Sequence, residues 1–570
     1  MPTSISLSET KVKLQKICAE STDGSRVYDR GEAGYYKSIA HFVISSTEPA
    51  EFAVEPGSAS TLAKVMKVLA EDKAHFAVKG GGHAMNPHFS STKGVQISMA
   101  RFNQVEYDDT TEGLAVGAGN IWDDVYDIAE NYKRKVVGGS SNQGVGVAGW
   151  LLGGGYSMKT NKYGLGIDNV LKYRVVLPDG QICVATESNS YRDLYQALRG
   201  GGNNFGIVTE FTLKTYPQFS VKAAALLFSG TQEEAVKSAI VKYVGHETPP
   251  EAAVVSAFRH TLVNGIPDYN ISTYCVYDFA EPDDFQGKLI LCFRPFFNIM
   301  RIYNTRNAGA ALSLGTSSSE ARGTVDQSDE PYFRQLSSVE ANRLASFPYD
   351  FATDLPLRTV SRQDAQGVSH SVRYVVGPPP DSSRGARRGR GGHSQVVGMT
   401  EVPVGLGELD ARGRFACIMV SKYTKNLVDA IAAEARKAAQ FLSDRRGKLV
   451  LIDVWPFLPS IFDNSPGGAA WPHKKGEPLG PLLAYFLWEK EEDDTFWVDK
   501  MKAALDNILK VALAEGCTTE TAPYYSNTSL GGTPVADIYR DHLKELSKAR
   551  AKYDPNDVMG QTGGFKIPLA

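Results

Sequence analysis

The chain has 570 residues, 42% of them hydrophobic, and a formal net charge of −3. That length exceeds one ordinary core and predicts two domains. The near-neutral charge argues against nucleic acid or an anionic membrane as partner. No run of about 18 apolar residues occurs, so no membrane span is expected. The polar start MPTSISLSETKVKLQKICAE lacks an apolar h-region, so the expectation is a soluble, cytoplasmic protein. Six cysteines lie far apart with no CxxC pair. They are expected to be reduced structural thiols, with no metal site.

Residues 1–45 are weakly patterned and are read as a lead-in. Leu62, Val65, Met66 and Leu69 follow helical spacing, with Ser58 or Ser60 available as cap. HFAVKGGGH (75–83) reads as a strand running into a glycine turn, and VQISM (95–99) and GLAVGAG (113–119) as strands. Ile121, Val125, Ile128 and Ala129 mark a helix, and KVVGG (135–139) a strand ending in a turn. Residues 171–186 read as a hairpin about Asp179 and Gly180, and 205–217 as a strand stopped by Pro217.

Beyond 218 a second domain of strands and helices is expected to run to about 520. Residues 305–330 and 377–413 are irregular within it. The Pro-, Gly- and Arg-rich 377–413 stretch reads as a disordered surface insertion rather than a nucleic-acid tail, or as translated non-coding sequence from a faulty gene model. Val535, Ile538, Tyr539, His542, Leu546 and Ala549 line a last helix, followed by Asp554 and Pro555.

Glycines carry most of the functional signal. Gly144, Gly146 and Gly149 spell GxGxxG, yet several residues separate them from the preceding strand. The helix they would open meets Gly153, Gly154 and Gly155, each costing about 1 kcal/mol against Ala. A nicotinamide fingerprint is therefore poorly supported. Three loops share one character: KGGGHAMN (79–86), GGSSNQGVG (138–146) and GGGNNFG (200–206). Glycine lets main chain touch a ligand, and exposed amides form anion-binding nests. One such loop would be a tight turn. Three, each joined to a strand, suit a pyrophosphate and an isoalloxazine.

The stretch from about 46 to 217 resembles the FAD-binding domain of the vanillyl-alcohol-oxidase, or p-cresol methylhydroxylase (PCMH), superfamily, in its berberine-bridge-enzyme-like, 6-hydroxynicotine-oxidase-like branch. The matching phrases are VKGGGHAMN (78–86), residues 145–180, LYQALRGGGNNFGIVTEF (194–211), YYSN (524–527) and KYDPNDVMGQTGGF (552–565). The resemblance implies an α+β fold: a two-subdomain PCMH-type FAD-binding domain (46–217) and a separate α+β substrate-binding domain (218–520) with an antiparallel sheet flanked by helices. A C-terminal segment (521–570) would return to the FAD domain.

It further implies FAD as cofactor, bonded at its 8α-methyl to His83, with Gly80, Gly81 and Gly82 laying amides on the pyrophosphate. Without that context His83 would read as a turn histidine. Lys79, Asn86, Gly138, Gly139, Gly144, Val145, Gly146, Gly149, Gly155, Gly206, Val208 and Asn527 are the other implied cofactor contacts. Asn142 stands where some relatives carry a second, cysteine tether, so a single linkage is expected. Val145 matches a position where a small side chain goes with oxygen access. The family's Y-x-N-Y stands here as Tyr525, Ser526, Asn527 and Thr528, with the second tyrosine lost.

The implied reaction takes hydride from a small organic substrate to flavin N5 while a base removes a proton, and O2 then accepts the electrons as peroxide. Tyr525 is the candidate for that base or for a substrate-orienting group; alternatively it packs over the flavin. A flavin dehydrogenase with another acceptor and a non-catalytic binding protein on the same scaffold are the competing readings.

Overall fold

The computed structural model describes residues 6–139, 144–219, 221–244, 248–263, 265–279, 292–299, 334–336, 357–363, 369–375 and 407–570. Asn142 and the irregular stretch 305–330 lie outside them, as does most of 377–413.

Three large sheets and two two-stranded ones organise the described residues. The first has three parallel strands, Phe52–Glu55, Val95–Ser98 and Phe76–Lys79, with Arg26–Tyr28 antiparallel at one edge. Ser58 caps the helix Ala59–Asp72 through the Thr61 amide, and Leu62, Val65, Met66 and Leu69 on that helix are buried, as their spacing requires. The second sheet is antiparallel, in the order Ile182–Thr186, Val170–Val176, Ile207–Lys214, Gly113–Gly117, Val105–Asp108. Its hairpin turns at Gly180, at φ +83°.

The third and largest sheet is antiparallel throughout. Its path runs Leu357–Gln363, Ser369–Val375, Val221–Ser229, Ile266–Asp278, Ala252–Val263, Gly447–Val454, Gly480–Trp488, Arg412–Val420, with Arg334–Leu336 added to Val221–Ser229. Strand alternation sorts its residues between two faces. Val450, Ile452, Val454, Leu482, Ala484 and Phe486 pack with the helices Lys425–Ala439 and Asp494–Ala514. Leu449, Leu451, Tyr485 and Leu487 face the opposite way, onto Phe42, Val43 and Met85. The sheet thus turns one face to its own helices and the other to the first sheet's loops.

Four sequence expectations change. The lead-in holds a helix, Leu7–Glu20, closed by a capping box between Ser6 and Glu9 and tied to Asp72 by Thr10 and Lys13. Of KVVGG only Lys135 joins a ladder: Arg134–Lys135 pairs with Tyr216–Pro217, which extends past the strand end at Lys214. The last helix is broken. Val535–Tyr539 stops at Arg540, which sits at φ +49°, and Leu543–Tyr553 resumes after a 3-10 turn. The end of the 377–413 stretch holds strand: Gly407–Leu409 pairs parallel with His41–Val43, and Arg412 begins a strand of the large sheet. No disulfide joins the six cysteines, all of them buried. No described helix is long and apolar enough to cross a membrane.

Candidate active site

The three glycine loops converge on one cavity of about 400 Å3, walled on its far side by the large sheet. The first loop leaves the strand Phe76–Lys79. Gly82 turns the chain at φ +75°, and its carbonyl accepts from the Phe42 amide at 3.0 Å. The second loop ends at Gly146, which precedes the six-residue helix Val147–Leu152. Here the loops touch through bare backbone: a Cβ on Gly81 would lie 2.5 Å from Gly146 Cα, and one on Gly146 would lie 2.5 Å from Gly81 N. Only glycine fits either position. The helix ends at Gly153, so the GxGxxG opens a single short turn and not a long dinucleotide helix.

Gly149, inside that helix, has no heavy atom within 4 Å of a built Cβ, and it lines the cavity. Alanine there would be the better helix former, so the open space beside Gly149 is suited to a ligand. The third loop brings Gly206 and Val208 to the cavity, while its Asn203 and Asn204 hold the C-terminal segment through Thr562, Gly563, Phe565 and Ile567.

His83 lines this cavity. Its ring stacks on Phe42 at 4.1 Å and 18°, and Phe415 lies beyond at 6.2 Å. Nε2 is shielded from solvent and has no hydrogen-bond partner among the described residues. Burial pushes the imidazole down from 6.5 to about 4, so it is neutral at pH 7. A neutral, rigidly held imidazole with an orphaned nitrogen is what attachment to an electrophilic carbon requires.

The C-terminal segment closes the site. The buried Tyr525 oxygen accepts from Gly155 N at 3.0 Å, Tyr156 N at 3.4 Å and Asn527 Nδ2 at 2.9 Å. Burial outweighs these donors and pushes its phenol up from 10 to about 12. Asn527 also donates to Trp150 O at 3.0 Å. Asn86 lines the cavity but bonds to Ser529 O and Gly531 N, which ties the histidine loop to this segment.

The cavity thus gathers Gly80, Gly81, Gly82, His83, Asn86, Val145, Gly146, Gly149, Gly206, Val208, Tyr525 and Asn527. Others anticipated at the cofactor sit behind it. Lys79 donates to Lys37 O at 3.1 Å. Gly138 and Gly139 pack on Trp122, with Tyr126 beside the first and Trp150 beside the second, and Gly155 packs on the Trp150 ring. Gly144, at φ +70°, forms the loop's turn.

An acidic residue of the cavity was not among the sequence expectations. Asp453 is 1% exposed and lines the cavity from the large sheet, on the same strand face as Leu449 and Leu451. The ladder with Gly480–Trp488 ends at Ile452 and Ala484, and the Asp453 carboxylate takes the next amide, Leu483 N, at 2.9 Å. The available signal was an acid inside the apolar run KLVLIDVW (448–455), since buried carboxylates are rare without purpose.

Residues 50–186 match the family described as FAD binding domain. Among solved structures, Physcomitrella patens BBE-like 1 superposes with TM-score 0.66 at 17% identity, covering 99% of this chain and 100% of its own. The 6-hydroxy-D-nicotine oxidase of Arthrobacter nicotinovorans gives TM-score 0.65 at 18% identity, covering 95% of this chain and 97% of its own. These likenesses show the fold alone: the chain is folded like the BBE-like and 6-hydroxy-D-nicotine oxidase structures. Among curated relatives, an FAD-linked oxidoreductase of Arthroderma benhamiae is 33% identical over 44% of this chain and 48% of its own length, so the match spans about half of that relative. The FAD-dependent monooxygenase tpcD of Cochliobolus heterostrophus is 27% identical over 90% of this chain and 83% of its own. The family match and the relatives' names support FAD as the cofactor of the matched domain. The touching loops, the open space at Gly149 and the orphaned His83 nitrogen fit such a group.

Proposed function

We propose that this chain is an FAD-linked oxidase of small organic molecules, with the flavin tethered once, through His83. The observation that carries the reading is the cavity-lining His83, neutral and without a partner at Nε2, between the glycine cradle and the Phe42 ring. When bound, FAD supplies a two-electron acceptor that can return those electrons to O2. Gly81 and Gly146, whose backbones meet at the cavity, would hold its anionic part through their amides. Val145 keeps a small side chain at the cavity, consistent with oxygen access.

Asp453 is the proton acceptor in this reading. It takes the substrate O–H or N–H proton as the adjacent C–H bond breaks, and its hydrogen bond from Leu483 N holds the acceptor in place. Tyr525 holds its own proton at neutral pH, because burial has raised its phenol. Its role is to fix the Gly155–Tyr156 turn and to present a ring to the ligand.

The test is direct. Purified protein should be yellow, and colour should stay with the chain after acid precipitation; colour left in the supernatant would end the tether proposal. Turnover should yield peroxide. The name of the tpcD relative favours a second reading, oxygen insertion. Product labelled from 18O2 would decide for it, and unlabelled product with stoichiometric peroxide for the oxidase.

A further inference from the structure

The substrate side of the cavity is rich in rings, and the polar ends of Tyr156 and Tyr525 are already used. Tyr156 packs edge-on to Tyr525 at 5.0 Å and lies 5.2 Å from Phe457, which in turn lies 4.7 Å from Trp455. The Tyr156 hydroxyl donates to Leu479 O at 2.6 Å, and the Tyr525 oxygen is occupied by backbone amides and Asn527. Ser526 donates to Gly153 O, and both ends of the Asn86 amide are bonded. These groups offer a ligand ring faces and edges rather than hydroxyls.

Two polar groups of another kind stand at the end of the strand Gly447–Val454. Asp453 presents its carboxylate, and Trp455, two residues on, presents an indole N–H that is shielded from solvent and has no partner among the described residues. Residues two apart along an extended chain lie on one side of it, roughly 6.6 Å apart. One acceptor and one donor therefore face the same space, between aromatic walls.

Resting on the FAD-oxidase reading above, we infer that the substrate is a flat, largely apolar aromatic molecule, not a sugar. It presents an O–H or N–H to Asp453 and a carbonyl-like acceptor to Trp455 Nε1. A polyhydroxylated sugar would leave most of its hydroxyls facing rings and self-satisfied side chains, and each buried hydroxyl without a partner is costly. An aromatic ligand gains from ring contacts at no such cost.

Calorimetric titration of the purified full chain tests this with three probes: 2-naphthol, 6-hydroxy-2-naphthaldehyde and cellobiose. The naphthaldehyde is expected to bind at least about 100-fold more tightly than cellobiose, given two or more unmet hydroxyls on the sugar. D453N should weaken both naphthalene probes about tenfold, the value of a charge-assisted hydrogen bond. W455F keeps a ring but loses the donor, so it should weaken the naphthaldehyde about fivefold and leave 2-naphthol unchanged. Cellobiose binding as tightly as the naphthaldehyde would overturn the inference, as would either variant leaving its probe unaffected. If a variant does not fold, the wild-type contrast still decides. Flavin content is measured first on the same sample. Protein without flavin would sink the oxidase reading, while calorimetry on that folded protein still reads the ligand preference.

Discussion

At the scale of single residues, the roles proposed for His83, Asp453 and Tyr525 separate experimentally. His83→Ala should give folded protein whose flavin leaves on acid precipitation. Because the imidazole is held near 4, covalent incorporation into wild-type protein should stay level from pH 8 to about 5 and fall only as the ring protonates. A loss already centred near 6.5 would mean the ring is not desolvated. Asp453→Asn should lower kcat by about 10²–10⁴-fold, the usual worth of a positioned general base, with KM changed far less. Tyr525→Phe should leave the acidic side of the kcat/KM profile unchanged, because its phenol is raised to about 12 and does not titrate there. It should instead cost about 1–3 kcal/mol of stability in denaturant titrations, since the buried Gly155 amide loses its acceptor.

At the scale of elements, two glycines of the same loop-and-helix unit make opposite claims on the fold. Gly146→Ala forces a methyl against Gly81 backbone, so both thermal stability and flavin content should fall. Gly149→Ala meets nothing in the protein itself and replaces a poor helix former, so the melting temperature of flavin-free protein should hold or rise. Flavin retention should nevertheless be lost. If Gly149→Ala protein bound flavin normally, the space beside it would not be the cofactor's.

The same elements show what sequence can carry. The helix Ala59–Asp72 was legible because four apolar residues and a serine cap agree. Leu7–Glu20 was not, because only Thr10, Leu14 and Cys18 are buried and the stripe is too thin to stand out, although the Ser6–Glu9 box was there to read. The break at Arg540 has no proline or glycine to announce it. At the site, the glycine loops and His83 were legible because their chemistry is local. Asp453 was not, because its meaning depends on where a ladder between residues 452 and 484 stops, which is a tertiary fact. Lys79 and Gly138, expected among the cofactor contacts, do not line the cavity, because proximity in sequence to a loop does not decide which way a residue faces.

For the whole molecule, buried histidines set the response to acid. His41 and His260 are both pushed from 6.5 down to about 4 by burial. Between those values the unfolded chain binds protons that the folded chain refuses, so stability rises with pH across that window and is lost as pH falls through it. Each fully titrating histidine contributes a slope of about 1.4 kcal/mol per pH unit. The melting temperature should therefore drop steeply between pH 6.5 and 4. A flat profile there would mean that neither ring is excluded from water.

The Tyr525 hydroxyl that receives the Gly155 amide lies 370 residues further along the chain. Ribosomes add about 5–20 residues per second, so roughly 20–75 s separate the synthesis of the two partners. The strand Gly407–Leu409, which joins His41–Val43 beside the histidine loop, also arrives late. During that interval the glycine cradle exists as an open half, with its aromatic ceiling not yet made. If the chain binds flavin as proposed, closure of the site over it waits for the finished polypeptide.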